Sequence, residues 1–197
     1  MIQVLTEEGF EEISIPVIQL QDIFSDKVGE ENNNLMYNFK DRGDRNLCLA
    51  PEYTAVIQKL AKTTFKMQKD VKVFYVQECF RGEKPQAGRY RQFTQLGVEI
   101  INPSGYLTED YMEYIVEIAE KLLYLNLYGK SLREVKELFS VNKEVTRGLD
   151  YYTEGKGFEI TCDTLGSSKQ ICGGGSYEGG LGFALGMDRI LNLVVWK

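Results

Sequence analysis

The chain has 197 residues, of which 43% are hydrophobic and 26% charged, proportions that suit one globular domain with a substantial core. Its formal net charge of −6 argues against broad, sequence-independent binding of nucleic acid, because such binding depends on Lys and Arg neutralising phosphates. The chain has no histidine, so its chemistry must use carboxylates, tyrosines or fixed charge in place of the commonest general acid–base group and metal ligand.

The first residues, MIQVLTEEGFEE, carry no targeting or membrane signal. Acidic residues stand where a secretory signal would have a basic start and an apolar run, and no later stretch offers about 20 apolar residues. We therefore expect a cytoplasmic protein with no membrane contact. The four cysteines are far apart and form no C-x-x-C pair, so the pattern predicts free thiols and neither a zinc site nor a disulfide framework.

The N-terminal third of the chain predicts one short helix followed by short strands. The helix ends at Gly9, and FEEISIPVI follows as a strand interrupted by Pro16. Because proline cannot donate to a strand ladder, this strand is expected at a sheet edge or a subunit boundary. LMYNFKDRGDRNLCLAPE predicts two short strands around RGDRN, and the helical pattern EYTAVIQKLAKTTF begins at Glu52. Residues 52–54 therefore lie at a strand-to-helix junction, where functional groups are often found.

VKVFYVQECFRGE and RYRQFTQLGVEI are predicted to pair as a hairpin whose turn is KPQAG. Alternate side chains of a strand point to opposite faces, so if the apolar faces of the two strands coincide, their polar side chains share the other face. Gly97 is expected to leave a gap in the middle of this polar face. The face consists of Arg81, Glu83, Arg89, Arg91, Phe93, Gln95 and Glu99.

The polar face has two interpretations. The usual one is the solvated side of an antiparallel sheet. A glycine inside a strand, however, often marks the close approach of a ligand or another backbone, as expected at Gly97. The ring of Phe93 can stack on a planar group, and arginines on adjacent strands can hold phosphate oxygens. Together these features favour a nucleotide site.

The C-terminal half predicts two helices, three strands and a final helix. Residues 109–125 carry an apolar stripe at helical spacing, which indicates core packing. Ser131 and Glu134 form a capping-box pattern that predicts a short helix running through Leu138 and Phe139. The strands are predicted in VTRGLDYYTEGKGFEITCD, SKQICGGGSYEGG and GLGFALG, and the last helix in MDRILNLVV. This order of elements predicts an α+β fold, with an antiparallel β-sheet flanked by helices.

Arg189 falls on the first turn of the final helix. Helix-end N–H groups and a guanidinium at this place can receive a phosphate together. The alternative is an ordinary surface arginine.

Several separated segments resemble one family, the histidyl-tRNA synthetases of class II. FRGEKPQAGRYRQFTQLGVE is similar to the second class II signature in its histidyl form, and GFALGMDRI is similar to the third. VTRGLDYYTEGKGFE and CGGGSYEGG resemble the two histidine-specific signatures. GFEEISIPVI resembles the first class II signature, and LAPEYTA resembles the histidine-binding corner. The resemblance implies the class II catalytic-domain fold and ATP-dependent activation of histidine to histidyl-adenylate, with Mg²⁺ accompanying ATP and with possible transfer to tRNA(His).

The resemblance also implies roles in binding ATP. Arg81 would hold the α-phosphate beside the amino-acid carboxylate, and Arg147 would be a second catalytic cation near that phosphate. Attack of a carboxylate on phosphorus needs alignment and neutralisation of charge, which fixed guanidiniums and Mg²⁺ supply without a protein general base or a protein metal site. The implied ATP-binding residues are Arg81, Glu83, Arg89, Phe93 and Arg189.

The implied histidine site combines carboxylates with hydroxyl and amide groups. Glu52 and Glu99 suit a substrate that carries an ammonium group and a ring N–H. The full set is Glu52, Tyr53, Thr54, Gln95, Glu99, Arg147, Tyr151, Tyr152 and Tyr177.

The chain also departs from the family pattern. Ala50 and Ser176 stand where the family has arginines, which implies the loss of two cations near the site, and Asp188 stands where glutamate is usual. Residues 1–197 are expected to form a single catalytic domain without the anticodon-binding domain and most of the insertion domain, so that binding of tRNA is weakened. A homodimer is expected through the strand around Pro16 and its neighbouring helix.

Two other functions fit the same residues. One is a non-catalytic paralogue that senses histidine and regulates a partner, such as the synthetase-like regulatory subunit of histidine biosynthesis. The other is an adenylating enzyme that uses a different acceptor or a different amino acid.

Overall fold

The computed structural model describes residues 1–25, 33–86, 88–104, 109–126, 138–145, 152–165 and 169–195. The helices are α1 (Ile2–Glu7), α2 (Asp22–Ser25), α3 (Thr54–Lys62), α4 (Glu109–Asn126) and α5 (Met187–Val195). The first strands are β1 (Glu11–Glu12), β2 (Ile18–Leu20), β3 (Asn38–Lys40), β4 (Asn46–Leu49) and β5 (Val71–Phe80). The remaining strands are β6 (Gln92–Ile101), β7 (Phe139–Val145), β8 (Tyr152–Cys162), β9 (Gln170–Tyr177) and β10 (Gly180–Gly186).

The strands form two sheets. The large sheet has seven strands in the order β1-β5-β6-β10-β9-β8-β7, and the small sheet has the order β2-β4-β3. Every pairing is antiparallel except that of β1 with β5. The α+β fold with an antiparallel sheet and flanking helices is therefore confirmed. The predicted strand around Pro16 is two strands in different sheets, and β1 lies at the edge of the large sheet.

Helices α1, α4 and α5 pack on one face of the large sheet. The apolar stripe of α4 buries Ile115, Ala119 and Leu122 completely, which confirms its predicted place in the core. Side chains from β6 and β10 meet this stripe because alternate residues of each strand share a face. They are Leu96, Val98, Ile100, Leu181, Phe183 and Leu185.

Within the described residues, the opposite face of the large sheet is covered only in part. Helix α3 and the small sheet pack over β5, where Tyr53, Tyr75 and Cys79 belong to a second core. The Tyr75 ring occupies the space at Gly97, and a Cβ atom at that position would overlap it. The expected gap at Gly97 is thus filled by a side chain of the neighbouring strand.

The predicted helix from Ser131 lies outside the described residues except for its last two positions. There the prediction is wrong, because Leu138 is in a turn and Phe139 begins β7. Phe139 pairs with Cys162 of β8 and packs against the core, so strand pairing overrides the local capping pattern. None of the helices in the described ranges is long and apolar enough to cross a membrane.

Candidate active site

The uncovered part of the second sheet face forms the floor of an open cleft. Its empty space, including solvent at the open mouth, is about 850 Å³. The start of α3, the loop between β5 and β6, the start of β9, the end of β10 and the start of α5 surround it. The predicted site residues that line it are Glu52, Thr54, Arg81, Glu83, Arg89, Phe93, Gln95 and Arg189.

Arg81, Arg89 and Arg189 form one side of the cleft, which we name the arginine wall. The Arg81 Nε donates to the Pro51 carbonyl at 2.9 Å, and its guanidinium lies 5.2 Å from the centre of the Phe93 ring. Arg89 contacts the Glu83 carboxylate at 3.5 Å. Each guanidinium is therefore held in place by a neighbouring segment.

Arg189 brings the end of the chain to this wall. Its Nε donates to the Gly88 carbonyl at 2.9 Å, and its Nη1 donates to the Gln170 carbonyl. Burial lowers the pKa of Arg189, and the charges of Arg89 and Arg81 lower it further, so the three guanidiniums lie close enough to repel one another. Such a cluster favours an anionic ligand. Arg189 is a cleft residue and not an ordinary surface arginine.

Asp188, beside Arg189, ties α5 to β6. Its Oδ2 accepts a hydrogen bond from the Thr94 backbone N–H at 2.7 Å. Thr94 is next to Phe93, so this bond joins the two segments that carry the cleft residues Phe93 and Arg189. Aspartate at this position thus makes a structural contact in place of the usual glutamate.

Glu52 and Thr54 line the cleft at the start of α3. The Glu52 carboxylate accepts backbone hydrogen bonds from Thr54 at 2.6 Å and Ala55 at 3.1 Å, which caps α3. The helix itself begins at Thr54, two residues after the predicted start. Because both oxygens are bound by the helix end, the orientation of this carboxylate is fixed.

Glu99 lies just behind the cleft lining and is 1% exposed. Its carboxylate accepts hydrogen bonds from the Tyr177 hydroxyl at 2.8 Å and the Thr54 hydroxyl at 3.4 Å. Burial raises the pKa of Glu99 to about 8, the two hydrogen bonds oppose this shift, and the charge of Glu52 adds to it. A Cβ atom at position 182 would overlap a Glu99 oxygen, so Gly182 is required beside it. Glu52, Thr54, Gln95, Glu99 and Tyr177 are named the acid wall.

Gln95 completes the acid wall with a contact that the sequence patterns did not indicate. The thiol of Cys79, which is fully buried, donates to its Oε1 at 3.1 Å. Strand alternation places Cys79 on the same face as Arg81, two residues further along, and this is the signal in the sequence for the contact. The lining residues that the sequence patterns did not assign to the site are Gly88, Tyr90, Gln170, Ile171, Cys172, Gly173, Ala184, Gly186 and Asp188.

Other predicted residues lie outside the cleft or outside the described residues. Tyr53 is fully buried, and its hydroxyl donates to the Glu78 carbonyl at 2.9 Å. Arg91 is exposed, and its Nε donates to the Glu83 carbonyl at 3.3 Å. Arg147 and Tyr151 are not among the described residues, and only the backbone of Tyr152 is described, in β8.

Ala50 and Ser176, the two positions where the family has arginines, are not among the residues that line the cleft. Ser176 precedes Tyr177, whose hydroxyl points to Glu99, so strand alternation directs Ser176 to the helix-covered face. Within the described part of the chain its buried hydroxyl has no hydrogen-bond partner. Ala50 is fully buried in the second core. Side chains at both positions therefore point into the protein interior.

Comparisons of the sequence with known proteins point to one family. A model of the histidyl-tRNA synthetase family matches residues 1–133. A histidine–tRNA ligase of Archaeoglobus fulgidus is 29% identical over an alignment that covers 92% of this chain and 67% of the ligase. That alignment extends over 276 positions, more than the 197 residues of the chain, so the ligase carries segments inserted between the matched parts.

Solved structures agree with this result. The apo histidyl-tRNA synthetase of S. aureus has a TM-score of 0.72 and 25% identity, and the match covers 97% of this chain and 62% of that one. A Bacillus halodurans protein described as an ATP phosphoribosyltransferase regulatory subunit/histidyl-tRNA synthetase has a TM-score of 0.68 and 15% identity, covers 98% of this chain and 77% of its own, and supports the fold alone. The chain thus spans about two thirds of the length of these synthetases.

Proposed function

Because the chain belongs to the histidyl-tRNA synthetase family, we propose that it activates histidine with ATP to form histidyl-adenylate. The observation that supports this most is the joining of the arginine wall and the acid wall in one cleft. The negative charge of a triphosphate complements the arginine wall, and a substrate with an ammonium group and a ring N–H complements the acid wall. The 197 residues would then act as one catalytic domain with a shortened insertion.

In the proposed reaction, a carboxylate oxygen of histidine attacks the α-phosphorus of ATP. A new P–O bond forms as the bond to pyrophosphate breaks, and negative charge develops on the phosphoryl oxygens. Arg81, held by Pro51 at the start of α3, would neutralise this charge beside the amino acid. Arg89 and Arg189 would hold the β- and γ-phosphates, and Phe93 and Glu83 would receive adenine.

Mg²⁺ bound to the phosphates of ATP would offset part of the charge of the leaving pyrophosphate. Across the described ranges no three His, Cys, Asp or Glu side chains converge as a metal site. The arginine wall would supply the protein's own contribution to neutralising this charge.

The acid wall would select the amino acid. Glu52 and Gln95 fit the ammonium group, and Glu99, deep in the wall, fits the imidazole ring N–H. Analogues without that N–H would lose a hydrogen bond to the buried Glu99 carboxyl, which costs affinity. Arg147 as a second catalytic cation, and Tyr151 and Tyr152 as histidine contacts, are proposed from the family resemblance alone.

Histidine-dependent exchange of pyrophosphate into ATP tests this function. We expect exchange with histidine and Mg²⁺ and a large loss in an Arg147→Ala variant. No exchange at high enzyme and histidine concentrations would end the proposal. If calorimetry shows binding of histidine without binding of ATP, a regulatory role is favoured instead. Exchange that depends on a different amino acid would show that histidine is not the substrate. Transfer to tRNA is the proposed second step, and charging of tRNA(His) would test it.

We also propose a homodimer through the outer face of the small sheet. The register places Ile18 opposite Leu49 and Phe39 opposite Leu47, which forms a continuous apolar surface. Ile18 is 54% exposed and Phe39 is 40% exposed. Exposed apolar patches of this kind mark interaction sites, and this one adjoins Pro16. Light scattering should give a dimer that Ile18→Asp dissociates, and a monomeric wild-type chain would contradict the proposal.

A further inference from the structure

Cys79 makes a hydrogen bond that the proposed chemistry does not use. It lies near the end of β5, directly opposite Phe93 of β6, and none of its surface reaches solvent. Its Sγ is 3.1 Å from the Oε1 of Gln95. Gln95 faces the cleft, whereas Cys79 lies beneath it in the second core. The thiol therefore touches a proposed substrate-binding side chain from the side that the substrate does not reach.

The direction of this bond restricts Gln95. A neutral thiol donates one hydrogen, and an amide oxygen accepts it. Burial raises the pKa of Cys79 well above its ordinary value, so the hydrogen stays on sulfur at neutral pH. With Oε1 bound to the thiol, the Nε2 hydrogens of Gln95 are directed away from Cys79. A glutamine without this contact would sample several rotamers, because its side chain has three rotatable bonds.

We propose that Cys79 is a positioning residue, whose thiol fixes the Gln95 amide in the cleft and thereby sets the affinity for the amino-acid substrate. This inference rests on the proposed activation of histidine. It assigns Cys79 no contact with substrate and no step in the reaction. Its effect should appear in the KM for histidine and leave the arginine wall, and hence the KM for ATP, unchanged.

The chain offers a matched control for this proposal. Cys48 is also fully buried in the second core, but it lies in β4, outside the cleft. Cys48→Ala and Cys79→Ala remove the same atoms from the same core. A purely structural role for Cys79 predicts that both substitutions act alike, through stability alone.

Pyrophosphate exchange with the full chain separates the two roles. For Cys79→Ala we expect a ~5-fold rise in the KM for histidine, as for one lost hydrogen bond, with kcat and the KM for ATP within ~2-fold of wild type. Cys79→Ser keeps a donor and should restore the histidine KM, and Cys48→Ala should leave it unchanged. Equal effects of Cys79→Ala and Cys48→Ala, or an equal rise in the KM for ATP, would overturn the inference. If Cys79→Ala does not fold, Cys79→Val fills the space without a donor.

A second measurement keeps the inference independent of activity. The side-chain amide resonances of Gln95 can be assigned in a nitrogen–proton spectrum by their loss in Gln95→Glu. We expect these resonances to shift or broaden in Cys79→Ala and to stay in place in Cys48→Ala. If wild type shows no exchange, the proposed function fails while the spectra still decide the role of Cys79. Unchanged Gln95 resonances in Cys79→Ala would reject the positioning role.

Discussion

The two walls of the cleft are organised in opposite ways. In the arginine wall, backbone carbonyls of separate segments anchor Arg81 and Arg189, the Glu83 carboxylate contacts Arg89, and the three positive charges repel one another. The acid wall is buried, and its Glu99 carboxyl is held by hydroxyl groups from α3 and β9. One wall therefore carries clustered positive charge near solvent, and the other carries acid groups removed from water. ATP would supply negative charge to the arginine wall, and histidine would supply N–H donors to the acid wall. Substitutions in the two walls should therefore change the kinetic constants for ATP and for histidine separately.

The largest effect is expected from Arg189→Ala. Loss of this guanidinium removes a charge that links Gly88 and Gln170 across the wall. We expect kcat/KM for ATP in the exchange reaction to fall ~10²- to 10³-fold, as for other fixed groups that stabilise a developing charge. The KM for histidine should change little. Arg45→Ala is the control, because Arg45 pairs with Asp41 in an exposed turn. An equal fall in kcat/KM for histidine would show that the two walls do not act on separate substrates.

Glu99→Gln tests the acid wall with a side chain of nearly the same shape as glutamate. The amide oxygen can still accept from Tyr177, but the side chain can no longer become a carboxylate for a ring N–H. We expect kcat/KM for histidine to fall ~10- to 100-fold, the range for a hydrogen bond to a charged group, with the KM for ATP unchanged. Glu178→Gln, in an exposed pair with Lys62, is the matched control. A wild-type histidine KM in Glu99→Gln would remove Glu99 from the site.

Gly182→Ala should damage the acid wall through packing. The added methyl group would overlap the Glu99 carboxylate, and overpacking of a buried site costs about 2 kcal/mol. Gly186→Ala on the same strand is the control for stability, because its Cβ would lie 3.6 Å from the nearest Arg189 atom, an ordinary contact. The free energy of unfolding, measured in urea, should therefore be lower for Gly182→Ala than for Gly186→Ala. Equal stabilities would mean that the strand moves to make room.

The local parts of the site could be predicted from the sequence. A two-residue period fixes which side chains of β5 and β6 share a face, so Arg81, Phe93 and Gln95 were grouped correctly before any packing was known. The junction before α3 was identified because Glu52 follows a strand and precedes an apolar helical pattern.

The parts that depend on distant packing could not be predicted from local pattern. Arg189 reaches Gly88 because β10 lies between β6 and β9, an order that alternation does not give. The filling of Gly97 by Tyr75 depends on how a ring lies across two strands. The family resemblance indicated residue types near the site, yet it did not give the direction of Ser176, which strand alternation from Tyr177 supplies once the register is known.

The smallest expected step, a change in stability per pH unit, separates the walls by pH. The pKa of Glu99 is raised from 4.5 to about 8 in the folded chain, so between these values the folded state holds a proton that the unfolded state has released. Raising the pH from 5 to 8 should therefore lower the free energy of unfolding, by at most ~1.4 kcal/mol per pH unit. Arg189 stays charged throughout this range. Urea titrations at each pH should show this decline in wild type relative to Glu99→Gln, and parallel pH profiles for the two proteins would mean that Glu99 is ionised in the folded chain.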